Sequence, residues 1–82
     1  MENDQDVNYL VDLVKKNPGK YPAVGLVKEF RLYKMQSGSD PGLPASYRVI
    51  HEAMRRGGIA IRDRTVGLNS VQRFYPSDVF PE

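Results

Sequence analysis

The sequence predicts a small α+β domain, mainly helical: a three-helix bundle closed by a C-terminal two-stranded hairpin. Three observations carry this. Apolar residues recur at helical spacing in three successive segments, each segment is bounded by proline or glycine, and past residue 58 the period switches from helical to alternating. At 82 residues the chain is long enough for one domain with a modest core.

The first helix is expected from Asn3 or Asp4 to Lys16. Val7, Leu10, Val11 and Val14 form one stripe. Asn3 or Asp4 can cap its start, acids in the first turn and Lys15 and Lys16 in the last suit the helix dipole, and Asn17-Pro18-Gly19 stops it. The second helix is expected from about Pro22, with Ala23, Leu26, Val27, Phe30 and Tyr33 on one side and an end anywhere from Leu32 to Gln36. Ser37 to Gly42 is rich in turn formers and reads as a loop.

The third helix is expected from about Pro44 to Arg56, ended by Gly57-Gly58. Ser46, Val49, Ile50, Ala53 and Met54 fall on one arc; Tyr47, Arg48, His51, Glu52 and Arg55 fall on the other. Ile59 to Asp63 and Val71 to Tyr75 read as strands, with Ile59 and Ile61 on one face and Arg62 turned away. Arg64 to Ser70 is expected to close the hairpin, Pro76 to end the sheet, and residues 76–82 to form an acidic tail bearing Val79 and Phe80.

The net charge is only +2, but it is unevenly spread. Residues 1–16 and 76–82 are each net −2, whereas residues 17–75 hold ten Lys/Arg against four acids. That distribution fits either one positive face suited to a polyanion or a solvated surface between acidic ends. The chain has no cysteine and one histidine, so disulfides and thiolate metal sites are excluded and no zinc cluster stands out. No cofactor is implied. There is no Gly-x-Ser-x-Gly, no phosphate-cradling glycine loop and no His-Glu-x-x-His, so an enzyme is not expected. The N-terminus lacks the basic start and apolar run of a signal peptide, which points to a cytoplasmic protein, nucleoid-associated, or nuclear in a eukaryote.

The order helix, helix, helix, hairpin, over about residues 4–75, resembles the winged helix-turn-helix superfamily. The resemblance implies double-stranded DNA as partner, the third helix in the major groove and the hairpin as a wing on the backbone or minor groove. Candidate contacts are then Ser46, Tyr47, Arg48, His51 and Arg55 on the third helix, Arg62, Arg64, Thr65, Asn69 and Arg73 on the wing, and Lys20 and Tyr21 before the second helix. Lys28, Arg31 and Lys34 are expected to be only partly engaged. The implied role is a small transcriptional regulator, such as a repressor, or a mobile-element accessory factor acting by occupancy. A homodimer would be built on the first helix and the tail.

Two features depart from the family's pattern: the link from Ser37 to Leu43 is longer than a tight helix-turn-helix turn, and no strand is evident between the first two helices. Two other readings stay open. One is a protein-interaction module with the same core. The other is single-stranded nucleic acid or RNA binding, for which Tyr47, Phe74 and Tyr75 would stack on bases.

Overall fold

The structure, a computed structural model, describes residues 3–81. Three helices, α1 (Asp4–Lys16), α2 (Ala23–Met35) and α3 (Gly42–Arg55), precede two antiparallel strands, β1 (Ile59–Val66) and β2 (Asn69–Pro76). The expected α+β architecture of three helices and a hairpin is therefore present. Among the described residues no helix is long and apolar enough to cross a membrane.

Each helix is ended by local chemistry. The Asn3 side chain accepts from the Gln5 N–H at 2.8 Å, so Asn3 caps α1. Pro22 stands just before α2 in extended conformation and its carbonyl takes the Leu26 N–H, the first helical bond. Helix α3 starts two residues earlier than expected, at Gly42. Pro44 then lies in the first turn, where its missing N–H is no loss. The Asp40 carboxylate accepts the Gly42 N–H at 2.9 Å and thus serves the start of α3. At its other end Gly57 takes φ +77° and the Gly58 N–H reaches back to the Ala53 carbonyl at 3.0 Å, a Schellman closure.

The core lies where the three helical stripes and the root of the hairpin meet. Val7, Leu10 and Val14 of α1, Leu26, Val27 and Phe30 of α2, and Val49, Ile50 and Ala53 of α3 are buried together with Ile59 and Phe74. These are the stripes the spacing predicts. Burial of such side chains is the main favourable term in a fold of this size. Polar ties join the helices at the rim. Lys34 donates to both oxygens of Asp6 at 3.2 Å, Tyr9 and Tyr33 stack with ring centroids 3.8 Å apart, and Arg31 and Asp40 pair through two bonds at 2.6 and 3.0 Å. Burial beside Glu29 raises the Tyr9 hydroxyl above its ordinary pKa.

The hairpin corrects the sequence reading most. Both strands run well into the stretch expected as loop, with Val66 paired to Asn69, so that only Gly67 and Leu68 form the turn. Gly67 has φ +63° and Leu68 does not have positive φ, which makes this a type II′ turn with its glycine at the first central position. By alternation and register, Ile59, Ile61, Asp63 and Thr65 share one face with Pro76, Phe74, Gln72 and Ser70. Ala60, Arg62, Arg64 and Val66 share the other with Tyr75, Arg73, Val71 and Asn69.

No strand joins α1 to α2, yet β2 does not stand alone there. The Gly19 N–H donates to the Phe74 carbonyl at 2.9 Å and the Phe74 N–H donates to the Tyr21 carbonyl at 2.8 Å. Gly19 has φ +75°, and a Cβ there would lie 2.5 Å from the Tyr75 hydroxyl oxygen, so this close approach requires glycine.

Candidate nucleic-acid interface

The twelve residues expected at an interface divide into three groups. Tyr21 and Ser46 lie in the interior. Tyr21 is 8 % exposed and packs in the core, and only its carbonyl is used, by Phe74. Ser46 is fully buried and its hydroxyl donates to the Gly42 carbonyl at 2.7 Å, one turn back in α3. The Ser46 side chain reaches no surface, and Tyr21 shows only a small part of its own. Ser46 was already on the buried arc of its helix. Tyr21 was misplaced because its position in a connection gave no periodicity to read.

The hairpin arginines form the second group, and each is turned onto the chain's own backbone. Arg62 donates to the Ser77 carbonyl at 2.8 Å and to the Val79 carbonyl at 3.1 Å, and its guanidinium lies over the Phe80 ring at 3.8 Å. Arg64 donates to the Gly19 carbonyl at 3.1 Å, and Arg73 to the Gln72 carbonyl at 2.8 Å. Arg62 and Arg73 face each other across the ladder, a like-charge pairing that is unfavourable unless each finds acceptors elsewhere. Carbonyl acceptors on both sides meet that need. The expectation of three arginines reaching outward is corrected accordingly: the fork of Arg62 fastens the tail. Ser77 extends the tether, since its N–H and hydroxyl bond the Gly58 and Gly57 carbonyls.

The third group stands outward. On α3, Arg48, His51 and Arg55 are exposed, and Tyr47 is half-buried against the core with its ring tilted 48° to the His51 ring at 6.5 Å. The Arg55 side chain is 73 % exposed. It pairs with Glu52, as Arg56 does at 3.0 Å, while Arg56 also meets Asp4 at 2.8 Å. Hydrogen bonds from Arg55 and then Arg56 hold the Glu52 carboxyl down to about 2; the Glu52 bond raises the Arg55 guanidinium, and bonds to Asp4 and then Glu52 raise that of Arg56. Lys20 is exposed with its ammonium 5.4 Å from the Tyr21 ring centre, and Thr65 and Asn69 are exposed near the hairpin tip.

The α3 arc is thus one outward face with Tyr47, Arg48, His51 and Arg55 in line. Its chemistry is donation: guanidinium forks, an imidazole and a phenol suit phosphate oxygens and purine edges.

Sequence reasoning missed two surfaces. One is the outer side of α2, where Val24, Leu32 and Met35 are exposed. A shallow concavity of about 220 Å³ is lined there by Lys28, Arg31, Leu32, Met35 and Asp40. The spacing of Val24, Leu32 and Met35 was a signal for it, since these fall on one side of the helix, interrupted by Lys28 and Arg31, away from the stripe that fills the core. The other is the hairpin tip, where Leu68 is fully exposed and Val66 is half-exposed.

The surfaces expected for a homodimer differ from one another. Helix α1 spends Val7, Leu10 and Val14 in the core and turns Gln5, Asn8, Asp12, Lys15 and Lys16 outward, whereas Phe80 of the tail is 67 % exposed. Of the strand aromatics expected to stack on single-stranded bases, Phe74 and Tyr75 are buried. Among the described residues, no three His, Asp or Glu side chains gather closely enough to hold a metal ion. No family model matches the chain, and no curated protein and no solved structure matches it.

Proposed function

We propose that the chain binds duplex DNA as a winged helix-turn-helix protein, with α3 in the major groove and the hairpin as a wing beside it. It would act by occupancy, as a small transcriptional regulator or a mobile-element accessory factor. The observation that carries the reading is the outer arc of α3. Arg48, His51 and Arg55 stand in solvent on the side opposite Val49, Ile50 and Ala53, on a helix long enough to lie in a major groove.

Glu52 shares that arc and weighs against it. It is, however, tied to Arg55 and Arg56 along the helix. Exposed pairs of this kind add little to stability, so Arg55 can exchange Glu52 for a base edge or a phosphate at small cost.

The test is a fluorescence-anisotropy titration against mixed-sequence duplex DNA across a salt series. The expected result is binding whose log K falls by several units per log unit of salt, as counterions leave the phosphates. No binding at low salt would overturn the reading.

A second reading, a protein-docking module, has its own supporting observation in the exposed Val24, Leu32 and Met35 of α2. Loss of a protein partner on Leu32→Asp, with DNA binding absent, would favour it.

A further inference from the structure

The hairpin tip has the wrong chemistry for an electrostatic clamp. From Thr65 to Ser70 it carries no charge. The arginines behind it point backward, with Arg62 on the tail and Arg64 on the Gly19 carbonyl. At the apex Leu68 is fully exposed and Val66 half-exposed, and the two-residue type II′ turn holds both at the end of a regular ladder. The molecule measures 41 × 22 × 20 Å. One long axis together with an exposed ladder tip means that this apolar end stands clear of the bundle.

We infer that Leu68 is an apolar wedge that enters the minor groove of duplex DNA and opens a base step. The inference rests on the DNA-binding reading and deepens it by naming what the hairpin does there.

Reach supports it. Strand residues advance by about 3.3 Å, so the apex lies roughly 7–10 Å beyond Arg64, close to the roughly 7.5 Å depth of the minor groove. With Arg64 level with the phosphate rims, Leu68 meets the groove floor. Only Nη1 of Arg64 is used by Gly19, which leaves guanidinium donors for a rim phosphate. Width sets a condition on entry. A two-stranded ribbon is broader than the roughly 6 Å groove, so entry requires the groove to widen, and unstacking a step with a kink toward the major groove does that. Pyrimidine–purine steps unstack most readily, so the wedge selects for them without a hydrogen bond to any base.

The experiment uses the full chain and a short duplex carrying 2-aminopurine at a central TA step, with a donor and an acceptor dye at its ends. The wild type should raise the 2-aminopurine fluorescence and shorten the end-to-end distance on binding. Leu68→Ala should bind this duplex about tenfold or more weakly, because it loses buried apolar surface, and should lose both signals. Its deficit should shrink on a duplex already opened by a mismatch at that step. Leu68→Phe should keep both signals. Arg48→Ala should weaken binding yet keep both signals at saturation. A thermal melt serves as control, since Leu68 supports no core contact. Wild-type binding without unstacking or shortening, or a Leu68→Ala variant equal to the wild type, overturns the wedge and leaves DNA binding standing. No anisotropy change on any duplex overturns both.

Discussion

Helix α3 and the hairpin look alike in sequence, each with arginines set among polar neighbours, but they use those arginines in opposite ways. On α3, Arg55 finds the Glu52 carboxylate three residues away on its own helix. On the hairpin, Arg62 and Arg64 find backbone carbonyls fifteen or more residues away, at Ser77, Val79 and Gly19. The first kind of pairing is local and exchangeable. The second fastens distant segments together: Arg62 spends its fork on two carbonyls, whereas Arg64 spends one nitrogen on Gly19 and keeps donors for a phosphate. Charge alone therefore does not mark a binding surface; the nature of the intramolecular acceptor decides which cations remain available.

The largest expected effect tests whether the two regions are mechanically one. Phe74 is the most deeply buried aromatic of the hairpin, so Phe74→Ala should cost about 3–5 kcal/mol, comparable with about 2–5 kcal/mol for Ile50→Ala on α3. Both variants should unfold in one urea transition. A Phe74→Ala variant in which the helices keep their wild-type midpoint would show the hairpin to be an appendage.

Next in size is the contrast in DNA binding. Arg55→Ala should weaken binding to a preferred duplex by about tenfold or more and relax sequence choice, whereas Arg64→Ala should lower the salt slope by about one unit at unchanged sequence preference. Equal behaviour of the two in both measurements would erase the distinction drawn between them.

Arg62→Ala should destabilise by about 1 kcal/mol, the scale of a net hydrogen bond at a partly exposed site. It should also make the tail accessible to protease. Arg62→Lys should not rescue it, because an ammonium cannot reproduce a planar fork that bonds two carbonyls while lying on a ring.

The smallest effect lies in the acid range. The Arg31 guanidinium, and then the Gly42 N–H, hold the Asp40 carboxyl down to about 2, as Arg55 and Arg56 hold Glu52. Both carboxyls titrate lower in the folded chain than in the unfolded one. Their contribution is therefore fully present above their ordinary values of 3.8 and 4.5 and is lost as pH falls toward about 2. Asp40→Asn should flatten part of the loss of stability between pH 4.5 and 2, read as the urea midpoint at each pH. An unchanged acid limb would mean that the Arg31 pair is not kept in solution.

What was legible in the sequence follows the same division between local and distant. The helical stripes of α1 and α3 were readable because Val7, Leu10, Val14, Val49, Ile50 and Ala53 each face a core that runs parallel to their helix. The partnership of Arg55 with Glu52 was readable from spacing. The outer thirds of both strands were not. From Arg64 to Ser70 neither face is buried, so no alternation is imposed on the residues, and the turn Gly67-Leu68 lacks the Asn-Gly pair that signals a hairpin most clearly. The roles of Tyr21, Arg62 and Arg64 were invisible because each depends on where a remote carbonyl or the core arrives in space.

The two hydrogen bonds that Phe74 makes with the α1–α2 connection also govern motion. Its amide is buried and bonded to Tyr21, so it should exchange with solvent deuterium only when the whole chain unfolds, while amides near Gly67 exchange through local fraying. A hairpin clamped at Phe74 and free at Leu68 behaves as a lever with a fixed root. A load applied at its apex is transmitted to the start of α2, which hangs from the same few backbone atoms.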